Sequence, residues 1–168
     1  MLLEIQFSWQ LIIADIVIYA VLQTTRIWVD ILLPHRLLDP ESKYFRTKKW
    51  EREGKFYQDF FHINAWKDKL PAVKGLTKFS KKHLENRTEP YLRQFVLETC
   101  RAESHHTRTI IETSIFIIWN PMGLFIVIFI TGLITQLPFV LIQRYNRARL
   151  QNVLRKIDKE NQEQTQQL

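Results

Sequence analysis

The chain has 168 residues and a formal net charge of +7, which makes it one domain or one small membrane module with a bias toward acidic partners such as anionic lipid, nucleotide or nucleic acid. Its single cysteine, Cys100, excludes an intramolecular disulfide. The mean hydropathy of -0.18 conceals a segregation of polarity: Arg26 is the only Lys or Arg in residues 1–34, and residues 109–143 hold none.

Residues 5–33 read as a first hydrophobic helix, in which the run Trp9–Leu22 is interrupted only by Gln10 and Asp15. With its flanks it is long enough to cross a hydrocarbon core of roughly 30 Å. A signal peptide is not expected, because the first eight residues carry Glu4 and no Lys or Arg, and no small-x-small cleavage site follows. Pro34 stops the helix.

Residues 35–97 form a basic region with no long apolar segment and with aromatics spread from Tyr44, Phe45 and Trp50 through Phe79 to Phe95. Three readings fit this interleaving. The aromatics are the core of a small packed lobe, or they belong to a lid on anionic headgroups, or the region binds nucleic acid. No RNA- or DNA-binding motif accompanies the last reading.

A helical pattern starts just after Pro90 and continues through a charged segment into Ile110–Trp119. Pro121 and Gly123 break it. Leu124–Ile142 is then a charge-free membrane helix with Pro138 inside, followed directly by the basic cluster Gln143–Arg149. Ile110–Trp119 alone is too short to span, so it either recruits the polar turns before it or is re-entrant. Of the 24 Lys and Arg, seventeen lie in residues 36–108 and six in residues 144–159. An arrangement with the N-terminus outside therefore puts every basic region in the cytoplasm. The expected fold is a mainly α membrane protein of about three hydrophobic helices, an N-terminal helix plus a C-terminal helical hairpin, with a small basic cytoplasmic lobe. Its expected parts are residues 1–34, 35–97, 98–150 and a polar tail, 151–168.

The chemistry concentrates at the edges of the hairpin. Glu98, Arg101, His105 and Glu112 share one helix face, and Glu103 and His106 lie three apart on another. A carboxylate beside an imidazole orients it and raises its basicity, and Arg101 or Arg108 suits a phosphate. The same spacing also describes a juxtamembrane helix stitched by salt bridges. Glu112 and Asp15 are ionisable groups at membrane depth and so candidates for function, although either could pair between helices, the reading preferred for Asp15. Positive-inside anchoring accounts for Arg144, Arg147 and Arg149, but less readily for Gln143 and Asn146. There is no phosphate-binding glycine loop, no dinucleotide fingerprint, no nucleophile elbow and no Cys or His set with metal spacing. His35 has Asp39 one position too early for a His-x-x-x-x-Asp pair.

Several short blocks carry a family resemblance: Tyr44-Phe45-Arg46, Gly54-Lys55-Phe56, Trp66-Lys67, Glu98-Thr99, Arg101-Ala102-Glu103 with His106, Asn120, Pro138, and Gln143-Arg144-Tyr145-Asn146-Arg147 with Arg149-Leu150. From Tyr44 to about Lys156 the sequence resembles the glycosyl-diaponeurosporenoate acyltransferases of staphyloxanthin-type carotenoid biosynthesis. The resemblance implies an integral membrane acyltransferase that places a fatty acyl chain on a sugar hydroxyl of a membrane glycolipid or glycosylated carotenoid. Read onto these positions, His106 is the general base and Glu103 its orienting partner. Glu98, Arg101, Asn120, Gln143, Arg144, Asn146, Arg147 and Arg149 are expected to bind substrate. No metal and no cofactor are expected. The expected partners are the lipid acceptor, an acyl-CoA or acyl carrier protein as donor, and other membrane-bound biosynthetic enzymes, with no nucleic acid. A reading from another class stands beside it: a non-catalytic membrane protein whose basic lobe docks on anionic lipid or a partner enzyme.

Overall fold

The computed structural model describes residues 8–70 and 88–166, and these are helical without any strand. Glu4, Phe79 and the 71–87 portion of the basic region lie outside the described residues. Four α-helices carry the architecture: α1 (Trp9–Leu32), α2 (Lys55–Phe61), α3 (Glu89–Thr113) and α4 (Met122–Gln166). Leu33 is extended (φ -63°, ψ 119°), because the ring of Pro34 disfavours the helical conformation in the residue before it.

The chain forms two compact units. The first joins the chain up to Leu33 with Glu103–Val140, and the second joins Pro34–Ala102 with the chain from Leu141 onward.

In the first unit, helix α1 is inverted relative to a soluble amphipathic helix. Among its described side chains the buried ones are Asp15, Arg26 and Asp30, while Trp9, Ile13, Ile16, Val17, Val21, Trp28 and Leu32 are exposed. The spacings of eleven and four residues put the three polar side chains on one face. Trp9 and Trp28, 79% and 64% exposed, are nineteen residues apart, about 28 Å of helix rise. That separation matches the distance between the two aromatic belts of a membrane helix.

Helix α3 ends at Thr113 and tightens into a 3-10 helix at Ser114–Ile118 before the turn at Trp119 and Asn120. Residues 105–120 run antiparallel to α1: His105 meets Asp30, Glu112 meets Arg26, and Asn120 meets Asp15. After the turn, α4 passes close to the end of α3. A Cβ on Gly132 would lie 2.8 Å from Thr113 Cγ2, so only glycine permits this approach without a shift.

Among the described residues two helices, α1 and α4, are long and apolar enough to cross a membrane, where about three were expected. The apolar run at 110–119 is not a third such helix. It joins the end of a charged α-helix to a 3-10 segment, and it has no continuous apolar stretch of spanning length.

In the second unit, Tyr57, Ile63 and Tyr145 form a buried cluster flanked by Phe56, Phe61, Trp66, Leu141 and Ile142. These aromatics form a packed core, whereas Tyr44, Trp50 and Phe60 are about half exposed or more. Leu92, Phe95 and Val96 of α3 pack with Leu150 and Leu154 of α4, a stripe at i, i+3, i+4 against one at i, i+4. Helix α4 is 45 residues long. The Gln143–Arg149 cluster and the polar tail as far as Gln166 are therefore further turns of the same helix that begins at Met122.

Candidate active site

In the first unit a ladder of polar side chains connects α1 to residues 105–120. Nearest the end of α1, His105 Nδ1 lies 2.5 Å from Asp30 Oδ2, and Arg108 Nη2 donates to Asp30 Oδ1. One turn earlier on α1, Arg26 Nη1 donates to Glu112 Oε2 at 2.6 Å. Asp15 Oδ1 accepts from Trp119 Nε1 at 2.8 Å and from Asn120 Nδ2 at 3.1 Å. Glu112 and Asp15 thus both have partners between helices. Glu112 takes an arginine, and Asp15 takes an indole and an amide.

Asp30 and His105 form a carboxylate–imidazole pair. His106 Nδ1 instead lies 2.7 Å from Gln136 Oε1 of α4, and its ring stacks on Phe139 at 4.7 Å. An amide oxygen is an acceptor, so Nδ1 is the donor in this contact, and in a neutral imidazole that tautomer has its lone pair on Nε2. Glu103 is 3% exposed on the same helix. Asp30 and Gln136 were missed by sequence reasoning. Asp30 looks like the polar end of an apolar run, and Gln136 like a single uncharged interruption.

Asn120, grouped with the histidines by the resemblance, belongs to the other end of the ladder. Its partner Asp15 is fifteen residues, about 22 Å of helix rise, from Asp30. Its amide nitrogen also donates to Phe116 O at 3.0 Å.

In the second unit, Glu98 is buried, accepts from Gln94 Nε2 at 3.0 Å, and lies 3.6 Å from Arg101 Nε. The basic cluster of α4 is turned into the protein more than onto its surface. Glu51, fully buried, accepts from Arg144 Nε at 2.9 Å, from Arg144 Nη2, and from the Tyr57 hydroxyl at 3.1 Å. Burial first, and then the charge of Glu51, push the Tyr57 phenol well above its ordinary range, while Arg144 opposes the shift.

Tyr145 donates to Asn64 Oδ1 at 2.9 Å and accepts from Arg149 Nη1 at 2.8 Å. Arg147, with no exposed surface, lies over the Phe45 ring at 5.6 Å and has Cys100 Sγ 3.7 Å from Nη1. Gln143 is buried, Asn146 half-buried and Arg149 exposed. The Gly54 turn has a packing cause. Arg52, Glu53 and Gly54 all take positive φ, and a Cβ on Gly54 would lie 3.1 Å from Arg149 Cγ.

The arrangement offers imidazoles that can exchange a proton and cations that can meet developing negative charge. Among the described residues no group of three or more His, Cys, Asp or Glu could hold a metal ion.

Comparison with known proteins gives this chemistry a family. The family model described as glycosyl-4,4'-diaponeurosporenoate acyltransferase matches residues 41–156. Proteins named glycosyl-4,4'-diaponeurosporenoate acyltransferase from Staphylococcus aureus strains N315 and USA300 are each 32% identical over 123 residues, covering 68% of this chain and 74% of theirs. No solved structure matches. The chain belongs to the glycosyl-4,4'-diaponeurosporenoate acyltransferase family and is an acyltransferase.

Proposed function

We propose that the protein is an integral membrane enzyme that esterifies a sugar hydroxyl of a membrane glycolipid or glycosylated carotenoid with a fatty acyl chain. The acyl group comes from a thioester of coenzyme A or of an acyl carrier protein. The observation that carries this reading is the inverted first unit, with apolar side chains outward and an ionisable ladder bearing two adjacent imidazoles inward. Both substrates have a hydrocarbon part that partitions into a bilayer and a polar part that reacts at its surface. A site near the Trp28 end of α1 serves both, gaining rate from positioning.

In this reading His106 is the general base. Gln136 fixes its tautomer, and Nε2 takes the proton of the sugar hydroxyl. Glu103 supports it from the same helix. Glu98, Arg101, Gln143 and Asn146 are candidates for contacts to the polar parts of the substrates. Arg144, Arg147 and Arg149 are further candidates, and each guanidinium also contacts another side chain of the second unit. The Asp30 contact favours a second reading, in which His105 is the base.

The test is acyl transfer in isolated membranes, with lipid mass spectrometry of cells with and without the protein. His106→Gln is expected to lower turnover by about 10²–10⁴-fold with normal membrane insertion. Full activity in that variant, with the loss appearing in His105→Gln, would move the base to the Asp30–His105 pair. The absence of any acylated glycolipid that depends on the protein would refute the acceptor class.

A further inference from the structure

Arg26 is a buried cation whose ion pair uses only part of it. Its side chain is 3% exposed, and Nη1 holds Glu112. Nε and Nη2 have no hydrogen-bond partner among the described residues. These two nitrogens form one edge of the guanidinium, the planar fork that meets oxygen atoms with two parallel N–H bonds. A buried donor without an acceptor costs free energy, and a partner for Glu112 alone needs no such edge.

The surroundings define what this edge would accept. Arg26 and Glu112 are one pair of opposite charges and Asp30 and Arg108 another, so these four side chains together carry no formal net charge. A neutral site does not favour a multiply charged phosphate in its resting state. It suits a carbonyl oxygen that acquires one negative charge while a nearby imidazole acquires one positive charge, because the site then stays neutral throughout. Asp30 and Arg26 are one turn apart on the same face of α1, which puts the fork beside the histidine-bearing end of the ladder.

We propose that the Nε–Nη2 edge of Arg26 is an oxyanion-binding site that takes the carbonyl oxygen of the acyl thioester, an assignment that rests on the acyltransferase reading. The sugar hydroxyl oxygen bonds to the carbonyl carbon, its proton passes to the imidazole, and the C=O π pair moves onto the oxygen held by Arg26. When the intermediate collapses, the pair re-forms C=O and the C–S bond breaks. The thiolate leaves, taking the proton from the imidazolium. Donors aimed at the place where charge develops stabilise the transition state more than the substrate. Both nitrogens are covered by protein, so binding a thioester there requires the side chains around them to move aside.

Two variants of the full-length protein, in detergent with a long-chain acyl-CoA and a glycolipid, test the site. Arg26→Lys keeps a cation for Glu112 and loses the fork, so kcat is expected to fall about 10²–10³-fold with the donor KM little changed. The double variant Arg26→Met with Glu112→Met removes the pair without leaving a buried charge and is expected to stay folded by thermal unfolding and equally inactive. Near-wild-type kcat in the lysine variant, or recovery in the double variant, would reduce Arg26 to a structural partner and overturn the proposal.

A second readout is independent of turnover. The methyl monoester of dodecylphosphonate, a singly charged tetrahedral anion on an alkyl chain, is expected to bind the wild type and to lose at least about tenfold in affinity with Arg26→Lys. Equal binding by both overturns the site. If the wild type transfers no acyl group, the enzyme reading fails, while the phosphonate comparison still decides for or against the fork.

Discussion

Glu51 shows how a single side chain can redirect the reading of a whole motif. Arg144 stands directly after an apolar helix, so spacing alone presents it as a membrane anchor or a ligand for a phosphate. Its partner is 93 residues away, in a 3-10 turn, and no periodicity links two such positions. The histidines were legible because their helix face was. Their partners Asp30 and Gln136 were not, because a face does not name what packs against it.

The Glu51–Arg144–Tyr57 cluster makes two predictions. Glu51→Ala takes the Glu51 acceptor away from a largely buried guanidinium and from the Tyr57 hydroxyl. The expected loss of stability is about 1–3 kcal/mol, read as a lowered thermal midpoint, and Glu51→Gln is milder because it keeps an acceptor. Tyr57 gives the pH dependence. Its folded pKa is raised, so its contribution to stability is fully present below the unfolded value of about 10 and is lost as pH rises beyond that toward the folded value. The difference in 295 nm absorbance between wild type and Tyr57→Phe should isolate one phenol that ionises well above pH 10. Ionisation of that phenol near pH 10 would contradict the buried cluster.

At the scale of elements, the boundaries were largely readable. Pro34 ends α1, the break near Pro121 separates α3 from α4, and Leu124–Ile142 lies wholly within α4. The number of helices of spanning length was not, because the run at 110–119 joins the end of a charged helix to a 3-10 segment. What holds this run in place is polar, through the ladder to α1, and steric, through Gly132. Gly132→Ala forces its new methyl into Thr113, so a lower thermal midpoint in detergent is expected. Removing the Thr113 methyl should relieve it, and Thr113→Ala in the Gly132→Ala background is expected to recover most of the loss. An additive loss in the double variant would mean that the two residues do not meet.

For the whole molecule, charge distribution and the ladder bear on the same question of topology. If α1 crosses a bilayer it serves as a ruler, with Trp9 and Trp28 at its two interfaces. Asn120 binds Asp15, six residues or about 9 Å of rise from Trp9, while His105 binds Asp30 beyond Trp28. A re-entrant segment that turned back at mid-depth would not carry Asn120 so far toward the Trp9 end. With the N-terminus outside, the turn at Asn120 also faces outside, and α4 returns the chain to the side that holds the lysines and arginines. Cys100 is buried, so Cys100→Ala provides a background for single-cysteine labelling. Ser8, Met122 and Gln166 are all exposed. In intact cells, an impermeant maleimide is expected to label Ser8→Cys and Met122→Cys and to reach Gln166→Cys only after permeabilisation. Labelling at Ser8 but not at Met122 would make the segment re-entrant and move the turn into the bilayer. Labelling at Gln166 alone would invert the whole arrangement and place the histidine end of the ladder on the face away from cytoplasmic acyl donors.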